Sequence, residues 1–252
     1  MKKTKLIGTL SLVMVSGGLM TTIPFISTSC GGADNTGGII DVSHLEFSGD
    51  NTTVLGFLNS NYDTKWGSIL QIPEKHEGVN VVAIQSFAFF GREITSIEMP
   101  NSITTIGEGA FSECEDVITA NIPSALTSIG KSAFGNCKSW NTDLILPSGI
   151  TIVPENAFID CRSLTRVEFN GVLTNSSGNA IATKAFQNCD SITSYIFATN
   201  QTTSNFGIGD NAFANSAANG SIYGADNDSS GALGDILQDM IDSGLNSNWS
   251  AY

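Results

Sequence analysis

Four cysteines carry most of the chemical potential of this chain: Cys114, Cys137, Cys161 and Cys189, each three residues after a phenylalanine. Four thiolates can hold a zinc ion, but a structural zinc site usually draws two ligands from one C-x-x-C knuckle. The spacings here are 23, 24 and 28 residues. Disulfides are a second outcome, since equivalent residues one repeat apart would lie about 5 Å from each other at Cα. Side chains stacked in parallel, however, do not face one another. The third outcome is a buried column of small, weakly donating thiols. The spacing favours this column over bridges, and bridges over metal.

Other candidates are thinner. Asp226, Asp228, Ser230 and Gly231 follow the opening of a calcium loop, yet the twelfth position, which must give a bidentate carboxylate, is Leu237. A polar turn in which Asp228 or Ser229 caps the following helix explains the same residues. His44 and His76 are the two histidines, and His76 sits in the solvated run Glu74-Lys75-His76-Glu77. No G-x-S-x-G, H-E-x-x-H or phosphate-cradling glycine loop occurs. The chain is therefore expected to be no enzyme, with no metal and no small-molecule cofactor.

Cys30 stands apart. Lys2, Lys3 and Lys5 precede an uncharged apolar stretch from Leu6 to Ile23, then Pro24 and Phe25-Ile26-Ser27-Thr28-Ser29-Cys30. Basic, apolar and small-residue regions in that order predict a signal peptide over 1–29; an uncleaved membrane span is the alternative. The boundary resembles a relaxed lipobox of the kind found in mollicute lipoproteins, with Ser27 where an aliphatic residue is expected and Ile26 one place earlier. That resemblance implies a diacylglycerol-bearing, palmitate-type anchor on Cys30 and a place on the extracellular face of the cell membrane. Two acyl chains suffice for stable anchoring. Residues 30–38, rich in Gly, Asn and Asp, read as a flexible tether. Without the leader the chain keeps 8 Lys and Arg against 24 Asp and Glu, a net charge of −16. No basic stripe exists for nucleic acid, and anionic headgroups would repel it.

What positions these residues is a repeat. Ala-Phe pairs recur at Ala88-Phe89, Ala110-Phe111, Ala133-Phe134, Ala157-Phe158, Ala185-Phe186 and Ala212-Phe213, with gaps of 22, 23, 24, 28 and 27 residues between phenylalanines. Five residues before each Phe stands Ile84, Ile106, Ile129, Val153, Ile181 or Ile208. A unit this short cannot bury its own apolar face, so units must stack and share one core. After each Cys comes a strand period, as in Leu164-x-x-Val167-x-Phe169, where Val167 and Phe169 face one way and Arg166 and Glu168 the other. Stacked in parallel, these strands make one ribbon. The segment from Ile-Gly to Cys is expected to be short, helical or 3₁₀ at most. The longer gaps, 170–180 and 198–207, read as loops projecting from one edge.

Ile-Gly, Ala-Phe, a Cys three on, spaced aliphatics and a Pro before Ile-Thr together resemble the BspA-type leucine-rich repeat family. Pro100-x-x-Ile103-Thr104-x-Ile106, Pro123-x-x-Leu126-Thr127-x-Ile129 and Pro147-x-x-Ile150-Thr151-x-Val153 carry the last element. The resemblance covers residues 72–216. It implies a solenoid, a right-handed coil with stacked parallel short strands, secreted or surface-anchored and linked to adhesion and to binding host or extracellular proteins. A small β cap is expected over 39–71, and a C-terminal cap over 217–252 with a helix at 233–241. The outward strand positions Ser96, Glu98, Thr119, Asn121, Arg166, Glu168 and Ser194 are the candidate binding face. A structural or antigenic coat without a fixed ligand is the rival reading, favoured by an outward surface poor in aromatics and Arg.

Overall fold

The computed structural model describes residues 38–58, 68–176, 178–198, 200–203, 205–224 and 232–252. The leader, Cys30, most of the tether and the calcium-loop-like run from Asp226 to Gly231 lie outside these. The chain opens with β1 (Leu45–Phe47) and β2 (Thr53–Phe57), paired antiparallel around Ser48 to Thr52, then β3 (Ile69–Gln71) and a small hairpin of β4 (Lys75–His76) and β5 (Val79–Asn80). The coils follow. They carry β6 (Ala83–Ile84), β7 (Ser96–Glu98), β8 (Thr105–Ile106), β9 (Thr119–Ala120), β10 (Ser128–Ile129), β11 (Leu144–Leu146), β12 (Arg166–Phe169), β13 (Ser194–Phe197) and β14 (Ser221–Gly224). Helix α1 (Ala232–Asp242) and β15 (Ser250–Ala251) close the described chain. This is a β-solenoid of stacked parallel strands.

It has two ladders rather than the single ribbon expected. The long one runs β3-β7-β9 and, after an interruption, β11-β12-β13-β14-β15. The second runs through the aliphatic residue that stands five before each Phe: β2, β6, β8 and β10 pair in parallel, and bridges Val153↔Ile181↔Ile208 continue the line. Its step from β10 to Val153 is missing for a local reason. Elsewhere the residue after the aliphatic donates to the preceding coil, as Gly107 to Ile84, Gly130 to Ile106 and Gly209 to Ile181 (2.8–2.9 Å). Pro154 holds that place in the fourth coil and has no N–H. Because β2, β3, β14 and β15 all join ladders, the end segments are rungs of the stack as well as its covers.

The segment from Ile-Gly to Cys is not helical. Its backbone N–H groups alternate between two targets. In the first coil Ala88, Phe90 and Arg92 donate to Gln85, Phe87 and Phe89 within the coil, while Phe87, Phe89 and Gly91 donate to Glu108, Ala110 and Ser112 of the next. The alternation needs a left-handed residue two before and two after each Phe. Those places hold Phe87 and Gly91, Gly109 and Glu113, Ser132 and Asn136, Asn156 and Asp160, Lys184 and Asn188, and Asn211 and Asn215, all with φ between 52° and 64°. Asn, Asp and Gly predominate because they pay least for that region.

The ladders and turns enclose one core. Phe89, Phe111, Phe134, Phe158, Phe186 and Phe213 form a continuous stack with centroids 5.3–5.8 Å apart and planes within 17°. Each is wholly buried. Strands are spaced about 4.8 Å apart, so the rings must slip sideways, which is the offset stacking that aromatic quadrupoles prefer. Phe169 and Phe197 stack at 5.0 Å beside them, and Phe206 meets Phe197 edge-on at 6.0 Å. The two long insertions therefore do not simply project. Leu173 and Phe206 are buried, and the Gln201 side chain accepts from Leu173 N (2.7 Å) and donates to Leu173 O (2.9 Å), tying one insertion to the next. At the C-terminus α1 buries Ile236 and Met240, with Leu245 and Trp249 completing the cover and Trp249 Nε1 donating to Ala217 O (3.1 Å).

Two substitutions test this packing. A Cβ on Gly130 would stand 2.3 Å from the Glu108 backbone nitrogen, so Gly130→Ala is expected to destabilise by about 1–3 kcal/mol in urea melts, as overpacking does. Tyr195 is fully buried and its hydroxyl has no partner among the described residues. An unsatisfied buried hydroxyl costs about 1–3 kcal/mol, so Tyr195→Phe is expected to leave the melting temperature unchanged or raise it; a clear drop would contradict the packing.

Candidate interaction surface

The outward face of the long ladder is two columns of side chains, one coil apart along each. Register aligns Ile69, Ser96 and Thr119 in the N-terminal part of one column, and Arg166, Ser194, Ser221 and Ser250 in its C-terminal part. The other column aligns Gln71 with Glu98, then Ile145, Glu168, Ile196 and Tyr223. All seven candidate residues lie along this ladder, but they do not act alike.

Asn121 follows β9 directly and is occupied with backbone. Its Oδ1 accepts from Met99 N at 2.6 Å and its Nδ2 donates to Met99 O at 2.7 Å, so the amide substitutes for a missing strand partner. It holds coils together and is not free to read a ligand. Arg166 and Glu168 pair with each other (Nη2 to Oε2, 2.6 Å), and Arg166 also reaches Asp143 (3.2 Å). Glu98 accepts from Gln71 Nε2 at 2.9 Å. Such exposed pairs give little stability, but they leave the ribbon with few uncommitted charges. Ser96, Thr119 and Ser194 remain as small hydroxyl-bearing positions.

What sequence reasoning missed is aromatic. Tyr223 is 39% exposed and Tyr252 is 71% exposed, and their rings stack at 5.9 Å on the outward side of β14 and just after β15. Ile145 is exposed in the same column. The repeat loses its Cys and its spacing after Phe213, so the phase that would have assigned Tyr223 outward had faded; only the alternation Ile222-Tyr223 pointed to it. A second exposed pair, Phe87 and Phe90, lies on the turn face of the first coil with centroids 6.2 Å apart.

The cysteines are resolved as a ladder of free thiols. Cys114 Sγ donates to Phe89 O (3.0 Å), Cys137 to Phe111 O (3.4 Å), Cys161 to Phe134 O (3.2 Å) and Cys189 to Phe158 O (3.1 Å). Each thiol thus reaches the Phe carbonyl of the preceding coil, which already accepts the N–H of its own coil's fourth turn residue and has a second lone pair to spare. Burial pushes the Cys114 thiol up to about 12 and the other three well above the ordinary value. A thiol held neutral is a poor nucleophile and a poor metal ligand. Among the described residues no three His, Cys, Asp or Glu side chains converge as a metal site, and no helix is long and apolar enough to cross a membrane.

Residues 82–219 match the family model for the BspA type leucine rich repeat region in six copies, more than half of the chain. The chain belongs to that family. Repeats of this family are typically non-enzymatic scaffolds, which suggests protein–protein interaction. Among solved structures it is similar to a leucine-rich repeat protein of T. pallidum (20% identity, 68% of this chain, 85% of that one, TM-score 0.48) and to one of Bacteroides ovatus (20%, 82% and 65%, 0.42). A leucine-rich cell surface protein of Faecalibacterium prausnitzii is also similar (17%, 68% and 72%, 0.36). No curated protein matches.

The BspA-type thiol column makes stability pH-dependent in a definite direction. A thiol whose folded pKa lies above its unfolded one binds its proton more tightly when folded. The unfolded chain sheds these protons from the ordinary thiol value of 9.0 upward while the folded chain keeps them. Their contribution is therefore complete below pH 9 and lost as pH climbs toward the folded values. Chemical denaturation at pH 7, 9 and 10.5 should show a level plateau and then a fall; replacing the four thiols together by Ala should remove most of that fall.

Proposed function

We propose that this chain is a lipid-anchored protein of the extracellular face of the cell membrane, whose long ladder binds extracellular or host protein as an adhesion surface. The observation that carries the reading is the continuous outward face from β11 to β15, ending in the exposed Tyr223–Tyr252 stack. Exposed aromatics on a rigid sheet present contact area at small entropic cost. The anchor is Cys30, attached through the residue 30–38 tether, and supplies the only membrane affinity an acidic chain of this charge would have.

A coat role without a fixed ligand is the second reading. It is favoured by the N-terminal half of the ladder, where Ser96 and Thr119 are small, Glu98 is already bound by Gln71 and Asn121 by Met99.

Two measurements bear on these. Cells expressing the chain should incorporate labelled palmitate into it, and Cys30→Ala should abolish the label. The full chain in detergent should bind saturably to one or more immobilised extracellular matrix proteins, with affinity reduced at least tenfold by Ile145→Ala combined with Tyr223→Ala. Absence of any saturable partner would favour the coat.

A further inference from the structure

The C-terminal coils differ from the rest of the chain in charge as well as in aromatic content. Residues 185–252 contain no Lys, Arg or His, and seven Asp. Every positive charge that faces or neighbours the long ladder stands earlier, and the last of them on its outward side, Arg166, is neutralised by Asp143 and Glu168. From β13 onward the outward columns read Ser194-Ser221-Ser250 and Ile196-Tyr223 followed by Tyr252, a flat face with hydroxyls on one side and an apolar and aromatic stripe on the other. Helix α1 packs against β14 and β15 and turns Asp235, Asp239 and Asp242 to solvent.

The geometry points to one occupant for this face: an arginine-bearing segment of a partner protein, with its guanidinium groups laid over the Tyr223–Tyr252 stack and its charge matched by Asp235, Asp239 and Asp242 of the adjoining helix α1. The inference rests on the protein-binding reading above and names the chemistry of the partner. Tyrosine rings attract a cation over their faces, most strongly when the cation is partly desolvated. Tyr252 is the outer ring of the pair and most of its surface is open. A region with seven carboxylates and no cation holds a negative potential that draws positive partners and repels acidic ones. Arginine fits better than lysine because its planar group stacks on a ring while its N–H fork reaches hydroxyls such as Ser221 and Ser250. The N-terminal half of the ladder has Glu98 and Asn121 committed to neighbouring coils, and among the described residues no exposed ring stands in its outward columns.

The test uses three synthetic peptides, alternating Arg-Ser, Lys-Ser and Glu-Ser, titrated into the full chain in detergent by isothermal calorimetry. Expected results are binding of Arg-Ser, weaker binding of Lys-Ser, none of Glu-Ser, and steep loss with added salt. Tyr223→Ala and Tyr252→Ala should each weaken Arg-Ser binding by roughly 2- to 30-fold, the range of a cation–π contact. Tyr223→Phe and Tyr252→Phe keep the ring and should stay within about twofold, and Glu98→Gln at the far end should change nothing. Equal binding of Glu-Ser, no binding of Arg-Ser, or unchanged affinity in both Tyr→Ala variants overturns the inference. A matrix protein whose binding survives Tyr223→Ala would overturn it too while leaving the adhesion reading standing. Peptide binding without any matrix partner would do the reverse.

Discussion

Everything in this solenoid follows from how each turn shares out its backbone donors. Between Ile-Gly and Cys, alternate N–H groups close bonds within the coil and the others close bonds onto the next coil. Neither set alone makes a regular element: the first gives isolated turns, the second gives a ladder with no register. Together they satisfy the main chain and fix the pitch, at the expense of two left-handed residues per coil. Once the pitch is fixed, one Phe per coil falls under the next at a separation suited to offset stacking. The turn also leaves each Phe carbonyl with one lone pair unused toward the neighbouring coil, and a side chain small enough to be buried there and able to donate fills that place. Cysteine meets both demands, since its thiol is a weak donor with nearly apolar bulk. Serine in the same place, at Ser216, accepts instead from Asn246 N (3.3 Å) where the C-terminal cover brings polar backbone against the stack.

Because each coil touches only its neighbours, stability is a chain of local steps. The steps are not equal. At Pro154 the short ladder loses a bond, and around Asn121 the long ladder gives way between β9 and β11. The two interruptions fall on adjacent coils, where the Phe stack and Trp140, buried between Phe134 and Phe158, carry the continuity. Side-chain amides are used as local repairs: Asn121 on Met99 and Gln201 on Leu173 both present a donor and an acceptor to one residue's backbone, as a neighbouring strand would. A polar side chain that looks like surface decoration in the sequence is, at these two places, part of the ladder.

The legible part of the sequence was whatever repeats in phase. The Phe, Ala and Cys columns recur six, six and four times, and their common burial could be read from spacing alone. The turn conformation was misread because Ala-Phe-x-x-Cys mimics the i, i+3 spacing of a short helix. Its true signal was present in Asn136, Asn188 and Asn215, each two after a Phe, the residue type that best tolerates positive φ after Gly. The second ladder was hidden by brevity, since a two-residue strand has no period to detect. Arg166 and Glu168 were placed correctly on the outward side, yet their mutual pairing depends on rotamers and cross-coil register that no linear pattern encodes.

The same logic explains why the outward columns, and not the core, differ from one end of the molecule to the other. An inward position must match the coil above and the coil below, so the column through Ile97, Ala120, Leu144, Val167, Tyr195 and Ile222 varies in size but stays buried and free of charge. An outward position faces solvent and is coupled to its neighbours by no more than an exposed pair, so its identity is nearly free of the fold. When one outward column passes from Gln71 and Glu98 to Ile145, Ile196 and Tyr223 while the other ends in Ser194, Ser221 and Ser250, folding does not require the change. Tyr252 buries little area in the chain itself, and its stacking on the part-buried Tyr223 recovers only a fraction of what a fully buried ring would gain. The rigid coils beneath them keep the rings in fixed register, which is the condition under which weak contacts along a flat face add up.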